Sequence, residues 1–227
     1  MSSFIHIAID GPAGAGKSTL AKNVARTMGI LYVDTGALYR AIAYTALSRS
    51  VNPEDPSAVI AMLDGLSVTL THKDGNQIVC VNGSDVTPLI RTAEVSAAAS
   101  KVSAVPEVRA FLLSAQRTIA QNNACVMDGR DIGTSILPDA EVKIFLTADR
   151  DDRAERRFEE LKSKGISVDL KTVEDDMGKR DQSDETRKAS PLKMADDAIL
   201  LNNSGFTPEQ TLQAAMKIIE EKLHEKV

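Results

Sequence analysis

The sequence predicts an α/β protein, and three observations carry that prediction. Short apolar, β-branched runs recur along the 227 residues, most of them followed by a stretch with helical spacing of apolar residues. A glycine-rich turn, Gly11 to Ser18, joins the first such run to the first helical stretch. Midway, a run that alternates with period two, a polar turn and a second β run mark a small antiparallel α+β piece set into an otherwise strand–helix chain.

Phe4 to Ile9 is a strand, stopped by Asp10-Gly11-Pro12, and Leu20, Val24 and Met28 share one face of the helix that follows. Leu31 to Val33 is a second strand, leading through Asp34-Thr35-Gly36 into a helix to about Leu47. Asn52-Pro53-Glu54-Asp55-Pro56-Ser57 then punctuates the chain, since its two prolines discourage a helix across them. Leu66 to Thr71 and Gln77 to Val81 form a hairpin about Lys73-Asp74-Gly75-Asn76, with a third strand expected after Asn82-Gly83. From Arg91 the chain is rich in Ala, Ser and Val and helical, and Pro106 restarts a helix with Val108, Leu112 and Ala115 on one face. Ala124 to Met127 and Val142 to Leu146 read as buried parallel strands. Two charged helical segments follow, Asp149 to Lys164 and Asp169 to Lys188, a pattern that usually marks a solvated face. Ala198 to Leu201 is the last strand. Thr207-Pro208-Glu209-Gln210 is a capping box before a final helix whose stripe is Leu212, Ala215, Met216, Ile219 and Leu223.

Composition narrows the function. With 43% hydrophobic and 26% charged residues the chain is an ordinary globular one. Its 32 acids against 27 Lys and Arg give a net charge of −5, which argues against a nucleic-acid polymer as partner, so any anion must be held by local charges. Cys80 and Cys125 have small or apolar neighbours and read as buried, reduced thiols inside strands. Met1 to His6 lacks a signal-peptide pattern and no window is long and apolar enough to span a membrane, so the reading is cytoplasmic with no membrane partner. His6, His72 and His224 are scattered and form no metal site.

Gly11-Pro12-Ala13-Gly14-Ala15-Gly16-Lys17-Ser18 fits G-x-x-x-x-G-K-[ST] without departure and lies between a strand and a helix, as a phosphate-binding loop must. Its backbone N–H groups and the helix N-terminus cradle phosphate oxygens, Lys17 adds charge for the β and γ phosphates, and the Ser18 hydroxyl suits Mg²⁺. The sequence therefore binds a nucleoside triphosphate. A guanine-nucleotide switch would normally carry N-K-x-D, and no Asn here is followed by Lys. A motor ATPase would normally be longer, with an acidic pair after an extended apolar strand, whereas Val126-Met127-Asp128 ends in a single Asp. Length, insert and the charged, arginine-bearing segments favour a kinase with a lid.

Taken with that loop, Asp34-Thr35-Gly36-Ala37-Leu38-Tyr39-Arg40 and Asp128-Gly129-Arg130-Asp131-Ile132-Gly133-Thr134 resemble the two diagnostic segments of the bacterial-type cytidylate kinases. Further similar stretches are Ile90 to Val95, Pro106 to Arg109, Pro138 to Leu146 and Lys179 to Asp184, in the family's order, so the resemblance spans nearly the whole chain. It implies a three-layer P-loop fold with a five-stranded parallel core of order 2-3-1-4-5. Within that single unit of residues 1–227 it implies an inserted monophosphate-binding subdomain over about 63–104 and a helical lid over about 149–188. The implied activity is phosphoryl transfer from ATP to CMP or dCMP, by a monomer acting on small molecules. Residue by residue, the ATP site would be Gly11, Pro12, Ala13, Gly14, Ala15, Gly16, Lys17, Ser18 and Thr19, with Arg156 from the lid. The CMP site would be Thr35, Arg40, Ser100, Arg109, Arg130, Asp131, Arg180, Asp184 and Arg187. Lys17, Arg130, Arg180 and Arg187 would be catalytic, with Ser18 a direct ligand of Mg²⁺ and Asp128 an outer-shell partner. Asp34 could equally be a simple cap, and Arg153, Arg156 and Arg157 could pair with Asp152, Glu159 and Glu160 on a helix surface. The sequence departs from the commonest pattern at Ala13, where Ser is frequent, at Thr35, where Ser is, and at Leu38, where Ile is. Another P-loop kinase, or a nucleotide-dependent switch, stays open as an alternative.

Overall fold

A computed structural model describes residues 4–73, 75–163 and 165–225. Residues 1–3 of the amino-terminal reading, Asp74 of the hairpin turn and Lys164 of the first charged segment lie outside the described residues. The strands in chain order are β1 (His6–Asp10), β2 (Leu31–Asp34), β3 (Val68–Lys73), β4 (Asn76–Val81), β5 (Ser84–Asp85), β6 (Cys125–Gly129), β7 (Val142–Thr147) and β8 (Ile199–Asn202). The helices are α1 (Lys17–Met28), α2 (Thr35–Ser48), α3 (Pro56–Leu63), α4 (Ala93–Val102), α5 (Pro106–Asn122), α6 (Arg150–Ser163), α7 (Leu170–Thr186) and α8 (Pro208–His224).

Five strands make an all-parallel sheet of order β2-β6-β1-β7-β8, which counted in chain order is the expected 2-3-1-4-5. All five residues of the central β1 are buried, because a parallel sheet covered on both faces needs apolar side chains on both. Ile7 and Ile9 pack against α1 and α8 with Leu20, Val24, Ala215 and Ile219. Ala8 points the other way, into a core with Val33, Met127, Ile132 and Ala120. The result is a helix–sheet–helix arrangement in which α8, started by the capping box at Thr207 and Gln210, docks through the predicted stripe.

The antiparallel piece is a three-stranded sheet, β3-β4-β5, as the period-two pattern indicates. It shares a core with α2, α3, α4 and α5, where Leu38, Ile42, Val59, Val79, Ile90 and Leu112 are buried together. Helices α6 and α7 have a small core of their own, Ala154, Val173 and Met177, which also takes in Ala13 of the glycine-rich loop.

Three local details depart from the sequence reading. Residues 56–63 form a helix that the sequence reading does not include: Pro56 is its first residue, where proline is well placed, and Asp55 caps Ser57 and Ala58. Cys80 is half-buried and only Cys125 is buried; Val79 takes the core face of β4, so its neighbour necessarily takes the other. Burial pushes the Cys125 thiol up to about 12. Finally, Ile132–Ile136 is a single π-helical turn, an element that no apolar period announces and that is often found at functional sites.

Candidate functional site

The parallel register brings Asp10, Asp34 and Asp128-Gly129 to the same carboxyl edge of the sheet, where open α/β sheets place their ligands. The glycine-rich loop leaves β1 at Gly11, whose φ is +149° and where a Cβ would stand 2.0 Å from the Leu146 carbonyl oxygen. Gly14, at φ +72°, faces Met177 and the Arg153 backbone, so no side chain fits there either. Lys17 is buried and donates to the Pro12 carbonyl at 2.6 Å. Burial holds its ammonium well below the usual lysine range, and Arg130 and Arg180 add to the effect. Ser18 and Thr19 are exposed on the first turn of α1.

Asp128 organises the centre. Its carboxylate accepts from the Ser18 hydroxyl at 2.7 Å and the Tyr32 hydroxyl at 2.9 Å, and its carbonyl accepts from the Thr35 hydroxyl at 2.8 Å. Burial, then the nearby Asp34, raises its pKa, while Ser18, Lys17 and Tyr32 pull it down. A hydroxyl and a carboxylate in contact are an all-oxygen donor pair of the kind Mg²⁺ takes. Among the described residues no group of three or more His, Cys, Asp or Glu could hold a metal ion.

Five of the predicted acceptor residues, Arg109, Asp131, Arg187, Asp184 and Arg130, form one connected network, whereas Arg40 and Thr35 bond instead to Asp34 and Asp128. Arg109 pairs with Asp131, with its guanidinium 5.2 Å from the centre of the Tyr39 ring. Arg187 Nη2 lies 3.5 Å from the other Asp131 oxygen, and Arg187 Nη1 lies 3.4 Å from Asp184, which accepts from Arg130 Nε at 2.8 Å. Burial works to raise the Asp184 pKa, but Arg130, Arg180 and Arg187 outweigh it and hold it low. Arg180 is pushed down to about 10 by burial and then by Arg130. Arg40 pairs with Asp34 at 2.7 Å. Ser100 sits half-buried on α4, and its carbonyl accepts from Ser103, whose own carbonyl accepts from Arg109 at 3.3 Å. Arg156 stands apart from this network: it donates to Asn203 Oδ1 and O at 3.1 and 2.8 Å, and Asn203 in turn donates to Ala15 of the loop at 3.2 Å.

The profile of the cytidylate kinase family matches residues 7–221. The chain belongs to that family. A cytidylate kinase of Lactococcus lactis subsp. cremoris is 47% identical over 218 residues, covering 96% of each chain. One from Caldicellulosiruptor bescii is 46% identical over 214 residues, 94% of this chain and 95% of that one. A solved structure of an uncharacterized protein from Eubacterium ventriosum superposes with a TM-score of 0.52 at 15% identity, over 95% of this chain and 98% of that one, a likeness of fold alone. Among the described residues no helix is long and apolar enough to cross a membrane.

Within this cytidylate kinase fold, several site residues escape sequence reasoning. Arg153 is buried rather than part of a solvated helix face: Nη1 donates to the Ala13 carbonyl at 2.8 Å and to Asp181 at 2.6 Å. Asp181 also accepts from the Ala13 amide at 3.0 Å, so α6 and α7 clasp the loop from both sides of one residue. Asp34 both caps α2, accepting from Ala37, and pairs with Arg40. Asp10 accepts from the Ile132 and Gly133 amides, both at 2.8 Å, tying β1 to the π-helical turn.

Burial raises Asp10 to about 6, against the two amide bonds that lower it. Its folded pKa thus exceeds its unfolded one, so its contribution is fully present at low pH and declines as pH rises. The difference in stability between the native chain and Asp10→Asn is expected to fall by about 3 kcal/mol between pH 4 and pH 6 and to level off above that. Thermal melts of both proteins across that range check it, and a difference that does not change with pH would contradict it.

Proposed function

We propose that the chain transfers the γ-phosphoryl group of Mg²⁺-ATP to CMP or dCMP, giving ADP and CDP or dCDP. The observation that carries this reading is a group of buried cations short of acceptors at one edge of the sheet. Arg40 Nε, Arg180 Nε and Arg187 Nη2 are buried without a hydrogen-bond partner among the described residues, and burial together with the Arg130 guanidinium holds both Lys17 and Arg180 below their usual ranges. Buried donors of this kind are costly unless a ligand satisfies them, and a polyphosphate is the ligand whose charge and oxygens match.

The chemistry needs no general base. The nucleophile is a phosphate oxygen of the acceptor, whose second pKa is about 6, so it is largely ionised at neutral pH. What the protein must supply is positive charge to bring two polyanions together and to stabilise the transferring group. Lys17, Thr19 and the loop amides from Gly14 to Gly16 would hold the ATP phosphates, with Gly11, Pro12 and Ala13 shaping the loop, Ala13 held through its amide by Asp181, and Arg156 beside the donor. Ser18 would hold the metal ion directly, with Asp128 as its outer-shell partner through the Ser18 hydroxyl, and the ion would offset charge on the β and γ phosphates. Arg40, Arg130, Arg180 and Arg187 would take the acceptor phosphate, and Thr35 and Asp184 keep that wall in place. Ser100, Arg109 and Asp131 would read the base, because cytosine presents an amine donor to a carboxylate where uracil presents a carbonyl. The segments 63–104 and 149–188 would close over the two nucleotides and exclude water, so that ATP is not hydrolysed.

ADP formation with ATP and, in turn, CMP, dCMP, UMP, AMP and shikimate tests the reading. Turnover is expected with CMP and dCMP. Turnover with AMP, UMP or shikimate but not CMP would overturn the acceptor assignment, and nucleotide binding with no acceptor-dependent turnover would favour a switch.

A further inference from the structure

The free edge of β2 is closed by two side chains from the inserted hairpin. The Leu31 amide turns toward Ala124 at 3.0 Å, on the side where β6 pairs. Backbone polar groups of successive strand residues turn to opposite edges, so those of Tyr32 and Asp34 face outward, where β2 ends the sheet. His72 in β3 and Gln77 in β4 are directly opposite one another in the hairpin register, and both reach this edge. His72 Nε2 lies 2.8 Å from the Tyr32 carbonyl oxygen. Gln77 Oε1 accepts from the Asp34 amide at 2.8 Å, and Gln77 Nε2 donates to the Asp34 carbonyl at 3.2 Å. One side-chain amide thereby gives Asp34 the two-way pairing that a neighbouring strand would have given.

Asp34 is the residue where such fixing has a consequence. It is the last residue of β2 and the cap of α2, and its carboxylate is shared between the Ala37 amide at 3.0 Å, Arg40 at 2.7 Å and, more distantly, Arg91 at 3.8 Å. A small rotation of the Asp34 backbone would therefore swing Arg40. Docking of the hairpin does not itself require Gln77, since Val68 and Val79 bury against α2 and its neighbours. We infer that Gln77, paired with His72, is a positioning residue for acceptor binding: it locks Asp34 and through it sets the reach of the Arg40 guanidinium. The inference rests on the reading of Arg40 as a contact of the acceptor phosphate.

Steady-state kinetics with CMP varied at saturating Mg²⁺-ATP test it in four proteins: native, Gln77→Leu, Arg40→Ala and the double variant. Gln77→Leu is expected to raise the KM for CMP about three- to tenfold, the worth of one or two hydrogen bonds, with the KM for ATP unchanged. In the Arg40→Ala background the same change is expected to raise the KM for CMP no further, because the group it positions is gone. An unchanged KM in Gln77→Leu, or an equal rise in both backgrounds, overturns the inference while leaving Arg40 in its proposed role. A KM for CMP that Arg40→Ala leaves unchanged overturns the reading of Arg40 itself. Should Gln77→Leu fail to fold, Gln77→Glu, which keeps the acceptor for the Asp34 amide and loses the donor to its carbonyl, is read in the same way.

Discussion

Lys17→Ala is expected to lower kcat by about a hundred- to a thousandfold while the protein stays folded, with a melting temperature within a few degrees of the native one. The two halves of that expectation have separate physical grounds. The ammonium is buried in the loop, where the low local dielectric makes a charge that meets developing phosphoryl charge worth about 3–4 kcal/mol. Stability is spared because Lys17 stands among charges of both signs, whose effects on it oppose one another. Its hydrogen bond is to the Pro12 carbonyl, and Arg130 and Arg180 both work against its protonated form. Removing it takes a favourable counter-charge from Asp128, Asp184 and Asp10 and, in the same step, relieves repulsion from two arginines. Measuring ADP production and thermal unfolding on the same preparation checks both halves. Activity within tenfold of native would show that the loop lysine is not where the transferring charge is met, and a collapsed melting temperature would show that the offset argument is wrong.

What could be read from the sequence follows the range of the interaction involved. The glycine-rich loop, the capping box and the hairpin are written in residues a few positions apart, so each was legible, and the strand order followed from the family resemblance. Long-range fixtures were not. Arg153 meets Ala13 across 140 positions and Asp10 meets Gly133 across 123, and nothing local to either residue signals the partner. A charged helix normally marks a wet face, and Arg157 with Glu160 on the same helix behaves that way, half-exposed and paired at i,i+3. Arg153, one turn earlier on the same face, is the one that the loop covers, and a periodicity of charges does not say how far along a polar face a neighbouring loop will reach. Gln77 illustrates the same limit from the strand side. Its place at the start of the hairpin's second strand was legible, but its target on the edge of a different sheet was not. The proposed acceptor residues stand between these cases: the family resemblance points to them individually, and their mutual pairing, Arg109 to Asp131 and Arg130 to Asp184, comes only with the fold.

That pairing changes what the loss of Asp131 should do. From sequence alone, Asp131→Ala is expected chiefly to raise the KM for the acceptor. In the fold Asp131 is buried at 4% exposure, paired with an Arg109 that is 8% exposed, so deleting the carboxylate strands a guanidinium away from water. Breaking a buried pair from one side costs about 3–5 kcal/mol, which for a chain of this size corresponds to a fall of roughly 10 °C in melting temperature. Tyr39, whose ring lies beneath the guanidinium, recovers a small part of that. Stability and recognition can then be separated by a second change. Asp131→Ala combined with Arg109→Met removes both charges and leaves apolar volume on α5, so most of the lost melting temperature should return, as it does when both halves of a buried pair are replaced. Acceptor binding should not return, because both groups proposed to read the cytosine edge are then gone. Melting curves and the KM for CMP in the single and double variants decide it: recovery of both together would place Asp131 in the scaffold and not against the base.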